Sequence, residues 1–196
     1  WNFVMEAFLV STGVVALAEI GDKTQLLALL LAARFKKPIP IILGILLATL
    51  LNHGLAGVVG GWVTANVGAQ TLKWILGASF LAMAVWVLIP DEIDDSGLSF
   101  TRRLGVFGTT FIAFFLAEMG DKTQVATVAM AAHYASVFWV VVGTTLGMLI
   151  ANVPAVLLGD KLTQKTPVRW VHISAAILFA LLGVATLTGL GDQFVF

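Results

Sequence analysis

Nine residues, LAEIGDKTQ at Leu17–Gln25, return as LAEMGDKTQ at Leu116–Gln124, with eight of nine identical and a spacing of 99. Each copy sets two acids and a lysine in the middle of a long apolar stretch. A charged residue at mid-bilayer depth costs at least ~2.5–3.5 kcal/mol on insertion scales. The four acids Glu19, Asp22, Glu118 and Asp121 and the two lysines Lys23 and Lys122 are therefore too costly to scatter toward lipid. They must face one another or a polar cavity, and that requirement constrains the fold more than any other feature.

The surroundings of the motif are those of a bilayer. The chain is 59% hydrophobic and 11% charged, with a mean hydropathy of +0.99. Soluble domains run at about 45–50% apolar and about 25% charged residues, so an integral membrane protein is expected. Its partner is the lipid bilayer. The 11 basic and 11 acidic residues cancel, which removes the basic signature of a nucleic-acid binder. There is no cysteine, which excludes disulfides, thiolate metal centres and iron–sulfur clusters from this sequence. The first apolar segment is not read as a cleavable leader, because its core carries the charged motif.

Six apolar segments can be marked, at 3–33, 39–65, 72–89, 104–132, 137–158 and 168–190. Each is long enough for a span, which takes ~20 residues. The first and fourth are longer than needed: ~30 residues of straight helix reach ~45 Å, against ~30 Å of hydrocarbon. Gly21 and Gly120, inside the motifs, are the expected break points. The one long connection, Pro90–Arg103, divides the chain into a first three-helix repeat at 1–90, a linker at 91–103 and a second repeat at 104–196. The same shift of 99 places Ala32 and Ala33 on Ala131 and Ala132, Gly44 on Gly143, and Gly60 on Gly159.

A unit of three spans delivers the chain to the opposite side of the membrane, so its repeat is inserted upside down. The expected fold class is an all-α membrane protein of six transmembrane helices in two inverted three-helix repeats. Charge tests the topology. With the N-terminus on one side, the far side collects Arg34, Lys36, Lys37, Arg102, Arg103, Lys161, Lys165 and Arg169, and the near side only Lys73. By the positive-inside rule the far side is cytoplasmic. Both termini are then outside and the 91–103 loop inside. Trp62, Trp74, Trp139 and Trp170 fall near span ends, as an aromatic belt requires.

On a continuous helix Glu19 and Asp22 would share a face and Lys23 would follow Glu19 by four residues. Meeting of the first and fourth segments at a pseudo-twofold axis would gather the four carboxylates, with Thr24, Gln25, Thr123 and Gln124 adding neutral oxygens. Such an all-oxygen set suits a hard divalent cation, Ca²⁺, Mg²⁺ or Mn²⁺, better than Zn²⁺ or Cu⁺. Four carboxylates and two ammonium groups, all ionised, leave a charge of −2, which one divalent cation neutralises. Carboxylates crowded in low dielectric take up protons when the cation leaves. Cation and protons would then compete for one site, the minimum that antiport requires. The alternative is that each Glu–Lys pair satisfies itself and merely locks two helices together.

A Glu-x-Gly-Asp-Lys-Thr motif, present twice in a short six-span chain, resembles the Gdt-type cation/proton exchanger family (the transmembrane protein 165 family). EIGDKT at Glu19–Thr24 and EMGDKT at Glu118–Thr123 both match in full, and the resemblance runs over essentially the whole chain. The likeness is to the small bacterial manganese-exporting members. It implies export of Mn²⁺, with Ca²⁺ as a further cargo, in exchange for protons across a bacterial inner membrane. Carried over residue by residue, it implies Glu19, Asp22, Glu118 and Asp121 as the metal-binding residues. The cation would be substrate, not a resident cofactor, and no catalytic residue is expected.

Other features have plainer readings. Asn52 and His53 sit midway along the second segment, and His53 maps onto Asn152. They form either a second polar layer beside the cation path or ordinary helix-to-helix hydrogen bonds, with Pro154 adding a kink. The small-residue patterns at Gly57–Gly61 and Gly143–Gly147 fit close helix packing and leave a homodimer open. The acidic run Asp91–Asp95 reads as a solvated linker more readily than as a cation sensor. His133 and His172 are expected at the membrane interface. The absence of a Gly-rich phosphate loop removes ATP as the energy source within this chain. A cation channel, an exporter of small organic cations or amino acids, and a membrane scaffold are the rival functions.

Overall fold

A computed structural model of the protein describes residues 2–89, 104–158 and 168–189. The described residues form eight α-helices: α1 (Asn2–Glu19), α2 (Lys23–Phe35), α3 (Pro38–Asn66), α4 (Ala69–Trp86), α5 (Gly105–Glu118), α6 (Lys122–Tyr134), α7 (Val137–Leu158) and α8 (Val168–Thr188). The linker 91–103, with its acidic run and Arg102 and Arg103, lies outside the described residues, as do Gly159, Lys161 and Lys165.

The breaks fall at the two glycines. Gly21 has φ +85° and Gly120 φ +78°, left-handed values that a side chain would strain. The first break bends the chain by 70° between α1 and α2. Two helices, α3 and α7, are long and apolar enough to cross a membrane alone, and the bent pair α1–α2 qualifies as one broken span. The remaining helices are shorter or less apolar by that measure. The architecture among the described residues is all-helical with two to three clear apolar spans.

Outer faces carry the apolar residues that a bilayer covers. On α3, Leu43, Leu47, Leu50, Leu51, Leu55, Val58 and Val59 are exposed, with Trp62 beyond them. Trp74, Trp139 and Trp170 are exposed as well. Inside, two clusters form. One joins α1, α4, α6, α7 and α8 around Val14, Phe80, Met130, Met148 and Phe179. The other joins α2, α3, α5 and α7 around Leu31, Ile41, Ile45, Phe114 and Val156.

With lipid as solvent, apolar burial does not drive helices together, so close backbone approach at small residues does much of the packing. A Cβ added at Gly143 would lie 2.6 Å from the Phe8 carbonyl oxygen and 3.1 Å from Ser11 Cβ. One added at Gly44 would lie 3.0 Å from the Phe107 carbonyl oxygen and 2.8 Å from Thr110 Cβ. Every residue in the second contact is the first contact's residue displaced by 99, so α3 sits on α5 as α7 sits on α1. Gly57 and Gly61 approach Val137 of α7, and Gly147 approaches the Thr12 carbonyl of α1. These glycines are used within the chain.

Candidate cation site

Each motif builds a helix end, a turn and a helix start, and each of its residues has a position in that construction. Glu19 closes α1, Gly21 turns the chain, and Asp22 stands at the N-cap of α2 with φ −80° and ψ 169°. Glu118, Gly120 and Asp121 repeat this before α6, with φ −78° and ψ 165° at the cap. An N-cap aspartate ordinarily accepts a hydrogen bond from its own helix. Neither Asp22 nor Asp121 does. Gln25 and Gln124, three residues into the helices, instead reach back and accept from the Gly21 and Gly120 N–H groups at 2.9 and 2.7 Å. Their amides tie the turns to the long helices: Gln25 donates to the Ala151 carbonyl at 2.9 Å, and Gln124 to Asn52 Oδ1 at 3.4 Å. The threonines hold the glutamates, with Thr24 donating to Glu19 Oε2 at 2.5 Å and Thr123 to Glu118 Oε2 at 2.9 Å.

The aspartates, released from capping, cross to the other motif. Lys122 Nζ lies 2.5 Å from Asp22 Oδ1, and Lys23 Nζ lies 2.7 Å from Asp121 Oδ1. These two ion pairs run between the motifs and not along one helical face, because the chain leaves the helix between Glu19 and Asp22 and the four-residue spacing loses its meaning. The lysines bind the two halves together instead.

Glu19, Asp22 and Asp121 each offer a carboxylate oxygen, and these oxygens lie within 4.8 Å of one another. All three residues are buried. Glu118 is buried too and interacts electrostatically with Asp121, Asp22 and Lys23, but it stands outside the group of three. Glu19 Oε1, Glu118 Oε1 and Asp121 Oδ2 have no hydrogen-bond donor among the described residues. Buried acceptors without donors are costly, and a cation or protons would satisfy them.

The polar layer on the long helices reaches the motifs in part. Asn52 Nδ2 donates to the Phe115 carbonyl at 3.0 Å, and its Oδ1 receives Gln124. Asn152 Nδ2 turns back to its own helix at the Met148 carbonyl, 3.0 Å away. His53 is fully buried, and neither ring nitrogen has a hydrogen-bond partner among the described residues.

His172 contacts the first break. Its Nε2 lies 2.9 Å from the carbonyl oxygen of Ile20, at the first break. No sequence signal marks this contact, since it depends on how α8 packs against α1. His133, also expected at the interface, packs edge-on against Phe80 with ring centroids 5.8 Å apart. The capping pattern Asp-x-x-Gln, by contrast, was available in the sequence as the start of a helix.

The profile of the family described as "Divalent cation/proton antiporter GDT1" matches residues 7–95 and 106–193. The chain is 54% identical over 184 residues to a Vibrio cholerae protein named "Putative manganese exporter", an alignment covering 93% of this chain and 91% of the relative. It is 31% identical to "GDT1-like protein 3" of Oryza sativa subsp. indica, over 90% of this chain and 71% of the relative. The Arabidopsis thaliana protein of the same name is 30% identical, over 90% and 68% of the two chains. No solved structure matches. This integral membrane chain, with its paired Glu-x-Gly-Asp-Lys-Thr breaks, belongs to the GDT1 family of divalent cation/proton antiporters.

Proposed function

We propose that the protein is a secondary transporter that exports Mn²⁺ from the cytoplasm in exchange for protons. The observation that carries this reading is the approach of Glu19, Asp22 and Asp121, from both motifs, to within 4.8 Å. Oxygen-only donors suit Mn²⁺ and also Ca²⁺ as a second cargo. The Vibrio relative's name favours manganese. Glu118 completes the proposed set of metal-binding carboxylates, and Lys23, Thr24, Gln25, Lys122, Thr123 and Gln124 support it.

In this reading the chain is two inverted three-helix repeats, 1–90 and 104–196, joined by a cytoplasmic 91–103 linker. The family match in two stretches, 7–95 and 106–193, supports the division. So do the contacts that recur at a shift of 99: glycine on carbonyl, threonine on glutamate, and lysine on aspartate. Rocking of one repeat against the other would open the shared site to one side at a time. With a cytoplasm alkaline and negative relative to the outside of a bacterial inner membrane, inward protons drive the cation out.

Reconstitution into liposomes tests the proposal. Mn²⁺, followed by a fluorescent indicator, should move when a pH gradient is imposed and should dissipate that gradient as it moves. Absence of Mn²⁺ movement with and without the gradient would overturn the proposal. Unitary currents would replace it with a channel.

A further inference from the structure

The two cross-motif ion pairs are equivalent in sequence and unequal in the fold. The Lys122 side chain is 0% exposed beside Asp22, whereas that of Lys23 is 26% exposed beside Asp121. The second break, which carries Asp121, is also the more open one: Met119 is 55% exposed and Gly120 is exposed, while Ile20 and Gly21 are half-buried. An ammonium group turned toward lipid at this depth is strongly disfavoured, so the partly exposed Lys23 requires water beside it.

Asp121 is at once the partner of Lys23 and a member of the three-carboxylate group. A divalent cation coordinated by Asp121 and the ammonium group 2.7 Å from its Oδ1 repel each other strongly. One has to move. Lys122 is enclosed, but Lys23 has an opening beside it and a flexible four-carbon stem to swing on. When Lys23 leaves, the site loses one positive charge beside Asp121, which favours a divalent cation there.

Resting on the cation site proposed above, we infer that Lys23 is a displaceable counter-ion that competes with the cargo for Asp121, while Lys122 remains a fixed partner of Asp22. The lysine is a positioning residue. It holds Asp121 in place across the two halves until a cation takes over the carboxylate, and it excludes monovalent ions too weak to expel it.

Amine labelling of the purified wild-type protein tests this. The protein is treated with a water-soluble N-hydroxysuccinimide acetate, with and without Mn²⁺, and modification of each lysine is read by peptide mass spectrometry. Mn²⁺ binding is followed in the same samples by electron paramagnetic resonance. The expected result is a several-fold rise in Lys23 labelling with Mn²⁺, while labelling of the exposed Lys36 and Lys37 stays constant. Lys23→Gln should in addition bind Mn²⁺ several-fold more tightly. Bound Mn²⁺ with unchanged or reduced Lys23 labelling overturns the inference and leaves the cation site standing. No bound Mn²⁺ overturns both.

Discussion

At the scale of single residues, the motif is a turn whose side chains have exchanged their usual jobs. The capping residue sends its carboxylate across to the other half, and the glutamine caps in its place. The threonine matters because Glu19 and Glu118 are fully buried and, among the described residues, each has one hydroxyl as its donor. Replacing Thr24 by Val keeps the shape and removes that donor. A buried acceptor left unsatisfied costs about 1–3 kcal/mol, so Thr24→Val should lower the melting temperature of the purified protein, and Thr24→Ser should restore it. Equal melting temperatures for Thr24→Val and wild type would show that the hydroxyl does not hold Glu19.

The residues of this turn were legible in the sequence as a repeated charged motif at mid-segment, and the glycines as its break points. The partner of each lysine was not. Spacing along a helix suggested Glu19 for Lys23, but a break of two or three residues redirects every side chain after it. Pairing between residues 98 and 100 positions apart is set by tertiary packing, which no local pattern encodes.

At the scale of the helices, small residues bring backbones into contact. A Cβ at Gly60 would stand 2.4 Å from the Val128 carbonyl oxygen and 2.8 Å from Ala131 Cβ, so α3 and α6 would have to separate. Gly54, on the same helix, has nothing within 4 Å. Overpacking of this kind costs about 1–3 kcal/mol, whereas alanine at an open mid-helix glycine gains roughly 0.5–1 kcal/mol of helix propensity. Gly60→Ala should therefore lower thermal stability and Gly54→Ala should hold or raise it. Equal effects at the two positions would contradict the close approach of α3 and α6. The small-residue patterns at Gly57–Gly61 and Gly143–Gly147 were visible in the sequence, but not which helix each glycine admits. The approach of His172 to the Ile20 carbonyl was beyond the sequence for the same reason.

At the scale of the whole molecule, composition and segment length announced a helical membrane protein, and the repeated motif suggested a division into two halves. The inverted topology remains the reading that charge asymmetry and the shift of 99 support. It makes a direct prediction, helped by the absence of cysteine from the sequence. Lys36 precedes α3 and the exposed Gln70 follows it, and α3 is 29 residues long, about 44 Å. In intact cells, a membrane-impermeant thiol reagent should label Gln70→Cys and leave Lys36→Cys unlabelled until the membrane is opened. Labelling of Lys36→Cys alone would invert the orientation.

The central claim is that two copies of one motif make a single cation site, with Asp22 and Asp121 contributed by different halves. Counting the Mn²⁺ bound per chain in purified protein, by electron paramagnetic resonance, tests it most directly. The account predicts one ion per chain, lost in Asp22→Asn and lost equally in Asp121→Asn. Two ions per chain, with each substitution removing one and sparing the other, would contradict it.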